Sequence, residues 1–360
     1  MRRRRQKKAP DMVMFLTVIT LLSIGVVMVF SASQVTAFVR NGDCYYYLKR
    51  QLLWSLIALG VMVVVMKIDY WIIKKFSKLI FFGSFLLLIA VLIPGIGRES
   101  HGASRWIPLG SFSLQPSEIA KFALIIYVSL LLEKKQAQIG SFFKGLLPVL
   151  LIAGVVGRLI LLQPDLGTAF TAMATVGVML FAAGAKFGHL LGLAASALPL
   201  LYIAITSEDY RKRRFLAFLD PWSDPLDTGF HIIQSLYALG SGGLFGVGLG
   251  RSRQKLFYLP EQHTDFIFAI IGEELGFIGV TFVVLLFFLF AWRGYKIAIT
   301  APDFFSSMLA VGVTSLITFQ AIINMGVVTA SLPVTGIPLP LISYGGSSLL
   351  FTLAGGGILF

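Results

Sequence analysis

The sequence predicts an all-α polytopic membrane protein of about ten transmembrane helices, with a long extracellular loop between helices 7 and 8. Three observations carry that expectation. First, 57% of the 360 residues are hydrophobic and 13% are charged, against roughly 25% charged in soluble domains. Second, apolar runs of about bilayer length recur along the whole chain. Third, Lys and Arg are unevenly distributed among the segments between those runs. A soluble enzyme is excluded. The net charge of +13 does not describe a nucleic-acid binder either, because nothing from Phe304 to Phe360 is charged. The single cysteine, Cys44, excludes an internal disulfide and any cysteine-based zinc or redox site.

In chain order the expected spans are about 12–31, 51–66, 77–94, 116–132, 145–162, 168–185, 189–206, 266–291, 304–325 and 347–360. They make residues 1–360 one membrane domain. The basic N-terminal segment 1–11, with Arg2 to Lys8, reads as a cytoplasmic anchor. The first span lacks a small-residue cleavage site, so it is expected to stay in place. The last span is short, which leaves room for the chain to continue past Phe360.

Basic residues orient the spans. With the N-terminus inside, sixteen Lys and Arg fall in cytoplasmic segments: six in 1–11, then Lys67, Lys74, Lys75, Lys78, Lys134, Lys135, Lys144, Lys186, Arg293 and Lys296. The short outer loops hold five: Arg40, Lys49, Arg50, Arg98 and Arg105. An even span count returns the C-terminus to the cytoplasm. The loop 207–265 falls outside and balances seven basic against seven acidic residues. A loop this long without obvious secondary structure is more often functional than filler. Within it, Gly229 to Gly240 spaces Phe230, Ile233, Leu236 and Tyr237 as a short amphipathic helix. The run Gly240 to Gly250 follows no strand and precedes no Lys-Ser/Thr, so it reads as a bend or re-entrant stretch rather than a phosphate loop.

Charges at or inside spans need an explanation, because each is costly there unless paired or hydrated. Glu118 and Lys121, in QPSEIAK, share a helix face. They are either a helix start with an internal ion pair or the lining of an outward-opening cavity. Asp165, in QPDLGT, either caps the next helix or partners Lys121. Arg158 stands two turns before it and is open to either face. Asp265 ends the long loop just before an apolar span. With Thr264 it is either an N-cap or a carboxylate whose pKa burial raises toward general-base values. His263 beside it is equally open. Glu273 and Glu274 read as structural pairing inside the bundle. The uncharged Pro, Gly and Ser-rich loop before the last span, with Ser343 and Ser347, is either a plain connection or a donor surface for phosphate or sugar.

Together the stretches QPSEIAK, QPDLGT, YLPEQHTDFIFAIIGEELGFIG and PVTGIPLPLISYGGSS resemble, in this order, the SEDS family (shape, elongation, division and sporulation). The resemblance runs from Met12 to Phe360. It implies a ten-helix glycosyltransferase of the bacterial cytoplasmic membrane that polymerises lipid II into glycan strands of peptidoglycan on the outer face. It also implies a class B penicillin-binding protein as transpeptidase partner, and lipid II and undecaprenyl-linked glycan as substrates amid membrane lipids. The family's essential acidic residue falls on Asp265, and its Lys and Asp in the neighbouring cavity fall on Lys121 and Asp165. Asp265 is then the expected general base toward a sugar 4-hydroxyl. Lys121 is the leading cation for the pyrophosphate, with Arg211 to Arg214 or Arg251, Arg253 and Lys255 at the rim. A divalent cation, Mg2+ or Mn2+, suits this chemistry, although no ligand cluster demands it. Two other classes compete: a lipid II flippase, which favours charges near the midplane, and a scaffold that recruits the transpeptidase.

Overall fold

The computed structural model describes residues 10–100, 103–110 and 112–360; the side chains of 99, 100, 103, 109, 200, 201, 204, 210 and 211 lie outside that description. Most of the basic N-terminal segment, residues 1–9, therefore lies outside the described residues.

Among the described residues, twelve α-helices and a small sheet follow one another. They are α1 (Met12–Asn41), α2 (Tyr46–Lys67), α3 (Tyr70–Ala90), β1 (Arg98–Ser100), β2 (Ala103–Leu109), β3 (Phe112–Leu114), α4 (Pro116–Lys134), α5 (Leu147–Leu161), α6 (Leu166–Ala182), α7 (Phe187–Thr206), α8 (Asp209–Leu219), α9 (Phe230–Gly242), α10 (Ile267–Ile299), α11 (Phe304–Val328) and α12 (Gly346–Ile358). Each of the ten expected spans coincides with a helix. By length and composition five stretches suffice to cross a membrane: Met12–Asn41, Tyr46–Lys67, Phe142–Leu161, Ile267–Ile299 and Phe304–Val328.

Local chemistry sets the boundaries. Asp11 caps α1 by accepting from the Met14 amide at 3.0 Å, and Gly42 ends it in a left-handed conformation at φ 71°. Pro116 opens α4. Asp303 caps α11 through the Ser306 amide at 3.0 Å. Such caps contribute about 1 kcal/mol each. α4 and α11 are sheathed by other helices and are buried on nearly every face, whereas α2, α3 and α7 turn apolar side chains outward.

The loop 207–265 departs from expectation. It contains α8 as well as the expected α9. The glycine-rich stretch after α9 lies against a break in α10, where Gly276 is non-helical at φ 67°. The break leaves backbone groups without helical partners, and the loop supplies them. Val247 and Gly248 amides donate to the Glu273 and Glu274 carbonyls at 2.9 and 3.0 Å, while Phe277 and Ile278 amides donate to Gly243 and Leu244 carbonyls. A β-carbon on Gly246 would meet the Glu274 carbonyl at 2.2 Å, so only glycine fits.

A three-stranded antiparallel sheet between α3 and α4 was not apparent from the sequence. It is tied down by Ser347 Oγ, which donates to the Ser113 carbonyl at 2.9 Å, and by Phe112 against Trp54 at 5.5 Å. The two ends of the bundle are therefore distinct. The start of α1 meets the end of α10 through Asp11 and Arg293, and Phe15 packs on Phe360 at 6.0 Å. The start of α1 and Phe360 thus share one end of the bundle. The start of α10, with Asp265 before it, lies at the other.

Candidate active site

Asp265 is positioned by a tight turn. Glu261, at φ 52°, accepts at its carbonyl from the Thr264 and Phe266 amides at 3.1 and 3.2 Å. Across the site, Asn324 of α11 donates from one amide nitrogen to the carbonyls of Asp265 and Ile337 at 2.7 and 2.8 Å. One buried amide thereby fixes the turn to the loop between α11 and α12. Gly336 in that loop has φ 73°, and a β-carbon there would sit 3.5 Å from Asp265 Oδ2. α10 begins without a side-chain cap bond, so the carboxylate is not spent on capping.

Burial pushes the Asp265 pKa up to about 7; Glu261 and Asp165 push it the same way, and Arg214 and Arg105 oppose them. Five charged side chains thus act on one field. Asp165 is buried and caps α6 by accepting from the Thr168 amide at 3.0 Å. Arg105, on β2, donates to the carbonyls of Gln163 (2.9 Å) and Pro164, which holds the turn that carries Asp165. Arg105 and Arg214 line one cavity together with Pro164, Gly167, Phe215, Pro333 and Thr335. Buried polar atoms without a hydrogen-bond partner cluster in the same segments: both amide atoms of Gln163, Asn324 Oδ1 and Thr335 Oγ1.

Several expected site residues are placed differently. Among the described residues, the ion pair made by Lys121 is with Glu118, at 2.8 Å and fully buried, rather than with Asp165. The i,i+3 spacing accounts for it, and Glu118 Oε2 remains unpartnered. Lys255 is no rim cation. It is 2% exposed and pairs with Glu274 at 3.0 Å, beside Ser31. Glu273 accepts from Ser252 Oγ and from the Arg253 and Gln254 amides, which completes a structural network. Arg251 is exposed on the glycine-rich loop and Arg158 on α5, both away from the cavity lining. The side chain of Arg211 lies outside the described residues.

The Ser343 hydroxyl is already committed, donating to the Thr264 carbonyl at 2.6 Å and accepting from the Leu339 amide at 2.8 Å. Ser347 is committed to the sheet. His263 is buried against Tyr47 at 4.5 Å and Tyr344 at 5.6 Å. Burial depresses its pKa to about 4, so the ring is neutral near pH 7. Ser343 and His263 hold the turn next to Asp265 and Ser347 holds the sheet, rather than offering free groups. Arg105 is the residue the sequence reading missed: counted as one of five outer basic residues, it reaches the site only through the sheet. No group of three or more His, Cys, Asp or Glu side chains gathers among the described residues.

Comparison with known proteins places this geometry in context. The family model for FtsW, RodA and SpoVE, described as cell cycle protein, matches residues 11–360. Stage V sporulation protein E of Bacillus subtilis (strain 168) is 48% identical over 354 residues, covering 98% of this chain and 97% of that one. A probable peptidoglycan glycosyltransferase FtsW of Geobacter sp. (strain M18) is 48% identical, covering 99% and 97%. Among solved structures, a chain reported under "Structural coordination of polymerization and crosslinking by a peptidoglycan synthase complex" superposes with a TM-score of 0.81 at 31% identity, covering 98% and 97%. Rod shape determining protein RodA of Thermus thermophilus superposes at 0.72 with 30% identity, covering 97% and 95%.

Proposed function

Because the chain belongs to the FtsW, RodA and SpoVE family of cell cycle proteins, we propose that it is a peptidoglycan glycosyltransferase acting at the end of the bundle that carries Asp265. The observation that carries this reading is one carboxylate with a pKa near 7 beside a cavity lined by two arginines. A carboxylate of ordinary affinity is a poor base at neutral pH; one at about 7 is matched to the task.

In the proposed reaction the 4-hydroxyl of an acceptor lipid II attacks the anomeric carbon of the glycan donor. The bond from that carbon to the undecaprenyl pyrophosphate oxygen breaks, and the configuration inverts. Asp265 takes the hydroxyl proton, and the bond electrons leave with the pyrophosphate. Positive groups already in place stabilise that growing charge without reorganisation. We assign this role to Arg105 and Arg214. Lys121, neutralised by Glu118, supports the site from the first turns of α4. Asp165 holds the turn that Arg105 grips. A bound divalent cation would add further charge stabilisation at the pyrophosphate, and no step above depends on it.

The protein is a multi-pass membrane protein. We place the Asp265 end outside and both chain ends in the cytoplasm, on the distribution of lysines. The lipid substrates then reach the cavity from the outer leaflet, and a class B penicillin-binding protein crosslinks the product. Concentration of these charges at one end of the bundle supports an enzyme over a flippase, which favours a site near the midplane. The test is polymerisation of labelled lipid II by the purified protein with its transpeptidase present. Wild type is expected to form long glycan and Asp265→Asn none; near-normal chains from the variant would remove Asp265 as the base.

A further inference from the structure

The opposite end of the bundle carries a second polar feature that the proposed reaction does not use. The first turns of α3 and the last turns of α4 line an open surface groove of about 420 Å³, formed by Trp71, Lys74, Lys75, Ser77, Lys78, Leu130 and Lys134. That volume lies within the usual range for small-ligand sites. Four lysines converge on it. Lys74 is held by Glu133 at 2.7 Å and lies over the Trp71 ring at 4.5 Å. Lys75, Lys78 and Lys134 are exposed and make no ion pair among the described residues. The neighbouring Asp69 is occupied in capping α3 at the Trp71 amide. The pocket thus holds three uncompensated positive charges.

Positive-inside topology alone asks for lysines near this surface but not for their convergence on a cavity with a tryptophan. The adjoining helix surface says what fits. From the pocket, α3 exposes Ile72, Phe76, Leu79, Phe82 and Leu86 at helical spacing, while Ser77, Phe81, Ser84 and Leu88 face inward. In a membrane protein such an outward apolar stripe lies among acyl chains. Trp71, half exposed, sits where aromatic side chains mark the headgroup level. A ligand matching both parts is anionic at one end and carries long hydrocarbon chains at the other.

We propose that this pocket binds the phosphate headgroup of an anionic phospholipid of the leaflet on the side of the chain ends, with its acyl chains along the outward face of α3. A two-phosphate headgroup of the cardiolipin type matches three unpaired lysines best. Lys74, already neutralised by Glu133, shapes the pocket wall.

The test is native mass spectrometry of the full-length protein after exchange from phosphatidylcholine vesicles containing cardiolipin. Lys75→Gln/Lys78→Gln/Lys134→Gln is expected to lower retained cardiolipin at least about tenfold. A control with Lys144→Gln/Lys186→Gln/Lys296→Gln, exposed lysines at the same end but outside the pocket, should retain it as wild type does. Each single pocket variant should give a partial loss, which keeps the result readable if the triple variant folds poorly. Inorganic phosphate should not displace the lipid. Equal retention by the pocket variants, equal loss in the control, displacement by phosphate alone, or a bound protein in place of the lipid would each overturn the proposal. The Asp265→Asn assay reads the other end of the bundle, so the two readings fail separately.

Discussion

Two carboxylate sites stand eight residues apart at the start of α10, and they are built in opposite ways. Glu273 and Glu274 are surrounded by donors: the side chains of Ser31, Ser252 and Lys255 and three backbone amides satisfy them in the buried interior. Asp265 stands at the bundle end with its backbone fixed by Asn324 and its carboxylate burdened by burial and by Glu261. The difference teaches how to read a charge in a membrane protein. A carboxylate supplied with donors is holding structure together, since losing a partner leaves a buried charge that costs about 3–5 kcal/mol. A carboxylate that burial holds near neutrality is poised to exchange a proton.

The contrast can be broken at either site. The largest expected effect is at Asp265, where replacement by Asn should cut glycan synthesis by about 10²–10⁴-fold while the purified protein melts no lower than wild type. The same substitution should raise thermal stability most at pH 8, by less at pH 5, and leave it nearly unchanged only below about pH 4. The sign follows from linkage: with a folded pKa near 7 against an ordinary 3.8, the native state holds the extra proton. The stabilisation present at low pH is therefore lost as pH rises toward 7. Next in size, Lys255→Met should lower stability by about 3–5 kcal/mol in denaturant melts, because Glu274 loses its counter-charge. Residual activity in the folded fraction should exceed that of Asp265→Asn. A smaller effect is expected from Gly336→Ala, which forces a β-carbon into a left-handed conformation at about 1–2 kcal/mol and strains the backbone beside Asp265 Oδ2. It should reduce turnover more than substrate affinity. Arg105→Lys sharpens the cavity side of the comparison: it keeps the charge but loses the two-carbonyl grip, and should raise the lipid II concentration needed for half-maximal rate.

Much of this was legible in the sequence, and for physical reasons. Bilayer-length apolar runs name the membrane helices directly, and glycines at 243, 246, 248 and 250, all at positive φ, mark a backbone that bends back on itself. Position alone left Asp265 open between an N-cap and a buried carboxylate, and the family resemblance of its stretch singled it out. What composition and spacing do not report is depth. Lys255 and Arg251 look alike in a balanced loop, yet one is buried against Glu274 and the other exposed. Likewise Lys121 has two acidic candidates in the sequence, and one helical turn decides for Glu118. Arg105 was hidden because its position depends on a three-stranded sheet in which both strands flanking its own are only three residues long.

The central claim is that Asp265 is a base tuned by burial to near-neutral affinity. Its most direct test is the pH dependence of single-turnover lipid II polymerisation, measured for wild type and Asp265→Asn with the same transpeptidase partner. The wild-type rate should fall on acidification with a midpoint near pH 7, and the residual variant rate should lack this limb. A wild-type rate that stays flat from pH 5 to 8, or a variant that keeps the same limb, would contradict it.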